Sequence, residues 1–273
     1  MANCDHNCSS CGQDCGERVE DNNPTSDTNI KKIVAVLSGK GGVGKSMVSS
    51  MLAVELARKG FKVGILDADI TGPSIAKMFN VTKEVYGDEE GIFPIETDLG
   101  IKIISINMML ETPETPVMWR GPILGSVIKQ FYTEVHWGEL DYLVIDMPPG
   151  TSDVALSVMQ IMPVDEIVMV TSPSKLVSMV VAKAINMAEA TKTHVLGLVE
   201  NMAYVECPNC KEKIFIYNED DTENVASKYN LPILAKLPMK PELASKSDEG
   251  TFIDYNEDYL KEVVDALIWE KTN

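Results

Sequence analysis

The sequence predicts an α/β protein built on a mostly parallel β-sheet with helices on both faces. Short runs of consecutive apolar residues alternate with segments whose apolar residues recur at helical spacing. Runs that are apolar at successive positions are typical of strands buried on both faces. An alternation of strand and helix favours right-handed crossover connections, which leave neighbouring strands parallel.

Five apolar runs are predicted strands, and four segments with helical spacing are predicted helices. The predicted strands cover residues 33–37, 63–66, 142–145, 167–170 and 195–199. The predicted helices cover residues 46–59, 152–161, 174–191 and 258–270, and Gly60 closes the first. Residues 81–100 predict a hairpin or loop excursion on the sheet edge, and residues 200–225 carry a cysteine pair and a polar run.

The chain divides into a polar tail and one larger domain. Residues 1–29 are rich in Asn, Asp, Ser and Cys and have almost no aliphatic residue apart from Val19. Such a segment cannot bury enough surface to order itself without a ligand, so we predict a flexible Cys-rich tail. Residues 30–273 hold all of the predicted strands and helices and are predicted to form a single domain.

The charge balance argues against two common classes of partner. The chain has 24 Lys and Arg against 41 Asp and Glu, a formal net charge of −17. This charge disfavours binding to nucleic acid phosphates or to an anionic membrane. No stretch approaches the roughly 18 apolar residues of a membrane span, and the N-terminus has neither a basic start nor an apolar run. We therefore expect a cytoplasmic protein with no nucleic acid and no membrane partner.

A glycine-rich loop follows the first predicted strand and precedes the first predicted helix. It reads Gly39-Lys40-Gly41-Gly42-Val43-Gly44-Lys45-Ser46. Its glycines let backbone N–H groups converge on phosphate oxygens, and the helix N-terminus adds partial positive charge. Lys45 is expected to reach the β- and γ-phosphates of ATP, and the Ser46 hydroxyl to ligate Mg²⁺. The alternative is a glycine-rich turn with no ligand.

Carboxylates end two of the predicted strands, at the sheet edge where the loop lies. Asp146 follows the strand at 142–145 and can hold a Mg²⁺-bound water. Asp67 and Asp69 follow the strand at 63–66. Asp69 is predicted to position or polarise the attacking water, and Asp67 to brace the phosphate loop. For each of them the alternative is a strand-end Asp that caps the next turn.

The six cysteines fall into two groups. Cys4, Cys8, Cys11 and Cys15 lie close together near the N-terminus, Cys207 and Cys210 form a second pair, and residues 16–206 contain none. Tight clusters in a cytosolic chain indicate metal or redox chemistry rather than a disulfide framework. An isolated Cys-x2-Cys pair supplies two of four ligands, and a two-fold dimer would supply the other two. A shared [4Fe–4S] cluster fits this pattern, and half of a zinc knuckle is the alternative.

Motifs spread over residues 31–268 combine in a pattern that is specific to one family. They are the glycine-rich loop, the segments 67–74, 119–122 and 146–153, Glu200-Asn201-Met202 with the Cys207/Cys210 pair, and Asp248-Glu249-Gly250. Together they resemble the Mrp/ApbC/Nbp-type iron–sulfur cluster carrier ATPases, and the early Lys40 resembles the deviant phosphate loop of the MinD/ParA-type ATPases. The resemblance implies a MinD-like P-loop NTPase. It also implies a homodimer that holds a labile [4Fe–4S] cluster between its Cys207/Cys210 pairs, couples this to slow ATP hydrolysis and passes the cluster to apo-proteins.

The resemblance also implies roles for single residues. Lys40 would cross a dimer interface to the partner's nucleotide, Asn201 would read the adenine edge, and the loop at Pro238 would pack on the adenine ring. Trp119 and Arg120 are assigned to the dimer or switch region. A solvated loop lysine is the alternative for Lys40.

The tail resembles the eukaryotic cytosolic branch of the family, whose members hold a more stable cluster on four N-terminal cysteines. The intervals between Cys4, Cys8, Cys11 and Cys15 are shorter at both ends than in that branch. Four thiolates at these intervals can still surround a [4Fe–4S] cluster, and zinc is a rival at this site.

Other functions fit parts of the sequence. A positioning ATPase that binds membrane or DNA would carry a basic amphipathic C-terminal helix, but residues 258–273 have two Lys against four Asp and Glu. An electron-transfer ATPase would need cysteines near the nucleotide switches, within the cysteine-free residues 16–206. A zinc-stabilised NTPase scaffold stays open. The acidic segment 218–221 is predicted to form a solvated loop, and an altered partner surface is the alternative.

Overall fold

The computed structural model describes residues 24–25, 27–69, 72, 74–81, 85–88, 91–105, 108, 121–173, 177–216 and 220–269. Most of the Cys-rich tail predicted at residues 1–29, including Cys4, Cys8, Cys11 and Cys15, lies outside these residues, as do Trp119 and Arg120. The described end of the tail is not a free segment, because the Thr28 hydroxyl donates a hydrogen bond of 3.3 Å to the Val135 carbonyl oxygen and the Asn29 N–H donates one of 2.9 Å to the Gly138 carbonyl oxygen. The part of the chain that the structure describes forms thirteen strands and eight α-helices.

Nine of the thirteen strands in the described part of the chain form one mostly parallel sheet. All thirteen, in chain order, are β1 (Asn29–Ile30), β2 (Ile33–Ser38), β3 (Val63–Asp67), β4 (Tyr86–Gly87), β5 (Ile92–Phe93), β6 (Ile95–Glu96), β7 (Lys102–Ser105), β8 (Glu139–Leu140), β9 (Tyr142–Asp146), β10 (Glu166–Thr171), β11 (His194–Glu206), β12 (Lys213–Ile214) and β13 (Ile233–Pro238). The sheet has the order β12-β11-β10-β2-β9-β3-β7-β6, and β13 also pairs with β11. Its pairs are parallel, except that β6 and β12 pair antiparallel with their neighbours. The predicted sheet is therefore confirmed.

Helices cover both faces of this sheet. They are α1 (Lys45–Arg58), α2 (Ile75–Met78), α3 (Gly121–Thr133), α4 (Asp153–Ile161), α5 (Val177–Thr191), α6 (Asp220–Tyr229), α7 (Pro241–Glu249) and α8 (Lys261–Trp269). Buried residues of α3, α4, α5 and α6 form one core layer, and those of α1, α2, α7 and α8 form the other. Successive residues of β2 alternate between the two layers, as the pleat of a strand requires. Among the described residues, no helix is long and apolar enough to span a bilayer.

All five predicted strands are present, and β11 is much longer than predicted. It continues past residue 199 to Glu206. The extension is possible because new partners replace β10: β13 pairs with β11 as far as Tyr204, and β12 pairs with Val205 and Glu206. The polar Glu200 does not end the strand, because it pairs with Thr171 of β10 and with Lys236 of β13, and the pairing with β13 resumes at Tyr204 after an irregularity.

The hairpin predicted within residues 81–100 is confirmed, and the solvated loop predicted at residues 218–221 is wrong in its second half. Strands β4 and β5 pair antiparallel, and β6 follows them on the sheet edge. Helix α6 begins at Asp220, because Val225 and Ala226 give it an apolar face that packs into the core. Acidic residues at a helix N-terminus are favourable there, since the helix dipole is positive at that end.

Candidate nucleotide site and cysteine turn

The phosphate loop connects β2 to α1 at the carboxyl edge of the sheet. Strand β2 lies between β9 and β10, and α1 begins at Lys45. Gly42 and Gly44 have φ angles of 78° and 79°, in the left-handed region that glycine adopts without strain. A curled loop at a helix N-terminus is an arrangement that can bind phosphate. Lys40 is partly exposed on this loop, and its carbonyl oxygen accepts a hydrogen bond of 3.1 Å from the Ser38 hydroxyl.

The carboxylate of Asp146 is the centre of the site and has no exposed surface. Its Oδ1 accepts hydrogen bonds of 2.7 Å from Lys45 Nζ and 2.7 Å from Ser49 Oγ. Its Oδ2 accepts one of 2.6 Å from Ser46 Oγ. Lys45 Nζ also lies 3.7 Å from Asp69 Oδ2. The structure thus brings four of the predicted site residues together and adds Ser49, whose one signal is its position three residues after Ser46 on the same helix face.

Asp67 lies behind this cluster and is completely buried. Its carboxylate accepts hydrogen bonds from the backbone N–H groups of Asp69 and Ile75 and from the Ser105 hydroxyl, at 3.1, 3.3 and 3.1 Å. Burial raises the pKa of Asp67 to about 8, and the negative charge of Asp146 adds to this effect. These hydrogen bonds brace the segment that carries Asp69, whereas the sequence predicted that Asp67 would brace the phosphate loop.

Asn201 lies on the central part of β11 and packs against the phosphate loop. Its Nδ2 donates a hydrogen bond of 2.9 Å to the carbonyl oxygen of Val43, and its Oδ1 accepts one of 2.9 Å from the N–H of Met202. In this structure Asn201 therefore braces the loop, and its adenine contact stays a prediction. Pro238 ends β13 and is buried.

Cys207 and Cys210 lie in the tight turn between β11 and β12. The Cys207 N–H donates to the Glu212 carbonyl oxygen and the Lys211 N–H donates to the Cys207 carbonyl oxygen, both at 2.9 Å. Both thiols are free, with Cys207 partly buried and Cys210 exposed. Hydrogen bonds from the backbone N–H groups of Cys210 and Asn209 lower the pKa of the Cys207 thiol. This favours the thiolate, the form that binds metals.

The surface beside the cysteine turn is apolar. Ile214, Phe215, Ile216 and Met239 are 50%, 40%, 58% and 40% exposed, and we name these four residues the apolar patch. Two of them contact Tyr204, because its ring lies 6.0 Å from that of Phe215 and its carbonyl oxygen accepts a hydrogen bond of 2.7 Å from the Met239 N–H. Ile214 pairs with the next residue of β11, Val205, and Lys213 Nζ lies 4.4 Å from the centre of the Tyr204 ring. Contiguous exposed apolar side chains mark interaction sites.

The nucleotide site and the cysteine turn offer different kinds of metal ligand. The Asp146 carboxylate and the Ser46 hydroxyl offer the hard oxygen ligands that Mg²⁺ prefers, and Lys45 offers a cation for phosphate. Cysteine thiolates suit an iron–sulfur cluster or zinc. The described residues contain no group of three or more His, Cys, Asp and Glu arranged to hold a metal ion. The cysteine pair therefore provides two ligands within this part of one chain.

A phosphate loop after a central strand of a parallel sheet, with a buried lysine–aspartate pair, defines a P-loop NTPase of the MinD-like class. Residues 29–270 match the ParA family described as NUBPL iron-transfer P-loop NTPase. The chain belongs to this family, which confirms the family and the fold that the motifs predicted.

Similar proteins extend over most of the chain. The iron–sulfur cluster carrier protein of Clostridium perfringens is 44% identical over 258 residues, 91% of this chain and 90% of the relative. A nucleotide-binding protein of Archaeoglobus fulgidus, solved in complex with ADP and with cobalt, is 45% identical with a TM-score of 0.77, covering 85% of this chain and 91% of that one. The cell division ATPase MinD of Pyrococcus furiosus shares the fold at 22% identity, with a TM-score of 0.62 over 89% of this chain and 100% of that one.

Proposed function

We propose that this chain binds and hydrolyses ATP, holds a [4Fe–4S] cluster at a homodimer interface and transfers the cluster to apo-proteins. The observation that carries the proposal is that one strand joins both sites. Strand β11 contacts the phosphate loop through Asn201 and ends at the turn that carries Cys207 and Cys210. Membership of an iron-transfer family and the name of the Clostridium relative support an iron–sulfur cargo. The ADP of the Archaeoglobus structure supports a nucleotide ligand.

Each residue of the nucleotide site has a defined task in this function. The backbone N–H groups of residues 39–46 bind the phosphates, and Lys45 moves from Asp146 to the β- and γ-phosphates. Lys40 of each subunit reaches the nucleotide of its partner. Mg²⁺ neutralises phosphate charge when bound, and Ser46 and Asp146 would hold it with its water. Asp69 polarises the attacking water.

The adenine base occupies the space next to the end of β13. Asn201 reads the edge of the base, and the loop at Pro238 packs on its ring. A nucleotide in this position touches β11 directly, because Asn201 belongs to that strand.

The cluster binds where two copies of the cysteine turn meet. Each chain supplies two thiolates, and a two-fold axis between the turns supplies the four that a cubane requires. The apolar patch lies beside the turn, so the same two-fold axis would bury it in the dimer interface and shield the cluster from water. Cys4, Cys8, Cys11 and Cys15 hold a second cluster within one tail.

Anaerobic reconstitution tests the cargo. The protein would be incubated with iron and sulfide, and its iron, sulfide and zinc contents and its oligomeric state would be measured. The wild type is expected to form a cluster-loaded dimer. The Cys207→Ser/Cys210→Ser variant should lose the bridging cluster and the dimer, and a variant with all four tail cysteines changed to Ser should keep both.

A second candidate function is that of a zinc-stabilised regulatory or positioning ATPase without cluster transfer. The zinc content of the protein distinguishes it from the cluster carrier. A Cys-x2-Cys turn with backbone N–H groups on its sulfur suits zinc as well as iron. Stoichiometric zinc that does not change when iron and sulfide are offered would overturn the carrier function and favour this second one.

The Lys45→Ala variant tests whether the nucleotide and cluster sites are separable. We expect loss of ATP binding and hydrolysis with cluster uptake unchanged, and transfer to an apo-aconitase type of acceptor would then show whether ATP is needed. Lys77→Ala is the matched control, because Lys77 is an exposed lysine paired with Asp248. Loss of cluster uptake in a folded Lys45→Ala protein would mean that the two sites are not separable.

A further inference from the structure

The buried carboxylate of Asp146 has three side-chain hydrogen-bond donors among the described residues. Lys45 and Ser49 donate to Oδ1, both at 2.7 Å, and Ser46 donates to Oδ2 at 2.6 Å. Asp146, Ser49 and the Lys45 side chain are at least nine-tenths buried, so water cannot readily replace a lost donor. A buried carboxylate that loses its hydrogen-bond donors is destabilised by the full free energy of its desolvation, unless it rotates about χ2 to find other donors.

Two of the three donors have another partner when Mg-ATP is bound. Lys45 is the phosphate-loop lysine, and its ammonium group is drawn to the β- and γ-phosphates. Ser46 is the hydroxyl that ligates Mg²⁺ in such loops. Both donors would therefore leave Asp146 when Mg-ATP binds, and another group would have to hold its carboxylate.

Ser49 is placed so that its hydroxyl can keep its hydrogen bond with Asp146 when the nucleotide binds. It lies about one helical turn after Ser46 in α1 and has no exposed surface, so it is farther than Lys45 and Ser46 from the helix N-terminus at which a phosphate would bind. Its hydroxyl has a second acceptor, the Lys45 carbonyl oxygen at 3.1 Å. The 2.7 Å distance and the negative charge of the acceptor favour the bond to Asp146, since hydrogen bonds to charged groups are shorter and stronger.

We propose that Ser49 is a positioning residue that holds the Asp146 carboxylate in place after Lys45 and Ser46 have turned to the nucleotide and its metal ion. The proposal rests on the proposed ATP hydrolysis, and it adds a residue that the phosphate-loop motif does not include. In this role Ser49 acts through Asp146, to which its hydroxyl donates.

The neighbouring serine provides a matched control. Ser50 is as completely buried as Ser49 and occupies the next position of α1. Its hydroxyl lies 3.3 Å from the sulfur of Met78 and makes no hydrogen bond with Asp146. Ser49→Ala and Ser50→Ala thus remove the same atom from the same helix, and only the first removes a donor to Asp146.

The experiment compares Ser49→Ala, Ser49→Thr and Ser50→Ala with the wild type. For Ser49→Ala we expect kcat to fall about tenfold or more and the Mg²⁺ concentration for half-maximal activity to rise, because one hydrogen bond to a charged group is lost. ATP binding in EDTA should not change. Ser49→Thr keeps the hydroxyl and should restore most of kcat and of the Mg²⁺ requirement, and Ser50→Ala should resemble the wild type in both.

A second measurement does not depend on hydrolysis. Mn²⁺ binding in the presence of ADP, followed by electron paramagnetic resonance, should weaken in Ser49→Ala and not in Ser50→Ala. Equal kcat, equal Mg²⁺ requirement and equal Mn²⁺ binding in the two alanine variants would overturn the role of Ser49. Absence of ATP hydrolysis in the wild type would overturn the proposed function instead, and the Mn²⁺ arm would still test Ser49. If Ser49→Ala unfolds, Ser49→Cys keeps the size of the side chain with a much weaker donor, and wild-type Mn²⁺ binding in it would also overturn the role.

Discussion

The side-chain amide of Asn201 donates a hydrogen bond of 2.9 Å to the carbonyl oxygen of Val43, and this bond joins β11 to the phosphate loop. The next loop residue, Gly44, approaches the same amide so closely that a Cβ atom on it would lie 2.2 Å from Asn201 Nδ2. The loop and the strand thus meet at a position where no side chain fits. A substitution in the phosphate loop at this contact would therefore displace the Asn201 side chain, and a substitution of Asn201 would displace the loop.

Gly44→Ala should destabilise the protein more than Gly42→Ala. Both glycines have a left-handed φ, so an alanine at either position costs about 1–2 kcal/mol of strain. An added Cβ at Gly42 meets nothing within 4 Å, whereas one at Gly44 collides with Asn201. We expect a further loss on the order of 1–3 kcal/mol for Gly44→Ala, measured by urea unfolding. Equal losses in the two variants would contradict the close contact with Asn201.

Glu55→Gln should remove part of the pH dependence of stability. The buried Glu55 carboxylate accepts hydrogen bonds from the Tyr255 hydroxyl at 3.0 Å and from the Leu260 N–H at 3.1 Å. Burial raises the pKa of Glu55 to about 7. Its folded-state pKa is above the unfolded value, so the stability it contributes is complete below about pH 4.5 and is lost as the pH rises through 7.

The measurement is the free energy of unfolding of both proteins between pH 5 and pH 8.5. The wild type should lose up to about 3 kcal/mol relative to Glu55→Gln across this range. The pKa of Asp67 is raised as well, so its titration contributes to both curves and cancels in the difference. Parallel curves for the two proteins would show that Glu55 does not titrate in this range.

Ile216→Ser should weaken the cluster-loaded dimer more than Leu99→Ser. Ile216 is 58% exposed within the apolar patch, and Leu99 is 37% exposed in the loop after β6, away from the cysteine turn. A two-fold interface contains each substitution twice, so a loss of about 1 kcal/mol per subunit raises the dissociation constant by more than tenfold. Sedimentation of the reconstituted proteins measures this constant. Similar dimer affinities for the two variants would show that the patch lies outside the interface.

Met202→Ile should be less stable than Met202→Leu. Met202 has a φ angle of 59°, and the pairing of β11 with β13 is irregular between Glu200 and Tyr204. Leucine and isoleucine have the same composition, but a β-branched residue tolerates a left-handed backbone poorly. We expect a difference of about 1 kcal/mol in the free energy of unfolding. A more stable isoleucine variant would indicate that the backbone at this position relaxes to an extended form.

The central sheet and the phosphate loop could be predicted because their signals are local. Consecutive apolar residues identify the buried strands, and closely spaced glycines before Lys45 and Ser46 identify the loop. The end of β11 could not be predicted in the same way, because Glu200 and Asn201 read as a polar stop and the partners that continue the strand come later in the chain. The start of α6 was hidden for a similar reason, since acidic residues suit both a loop and the first turn of a helix.

Contacts between distant residues were the least predictable part of the site. Ser49 gains its role from Asp146, which lies 97 residues away, and Glu55 is paired with Tyr255 across 200 residues. The spacing of Ser49 from Ser46 indicates a shared helix face, but it does not identify the partner, because each pairing depends on how α1 packs against the sheet and the C-terminal segment. The hydrogen-bond partners of Asp67 were hidden for the same reason, as they are set by the path of the chain after β3.

The segment of β11 between Asn201, which contacts the phosphate loop, and the cysteine turn cannot change in length without altering the direction of the turn. Asn201 and Cys207 are six residues apart in the chain, and side chains along a strand alternate between its faces. Removing or adding one residue between Ala203 and Glu206 would turn every later side chain of the strand to the opposite face. The cysteine turn would then point away from its present side while the phosphate loop stayed intact, so a variant of this kind should bind nucleotide normally and fail to assemble the bridged cluster.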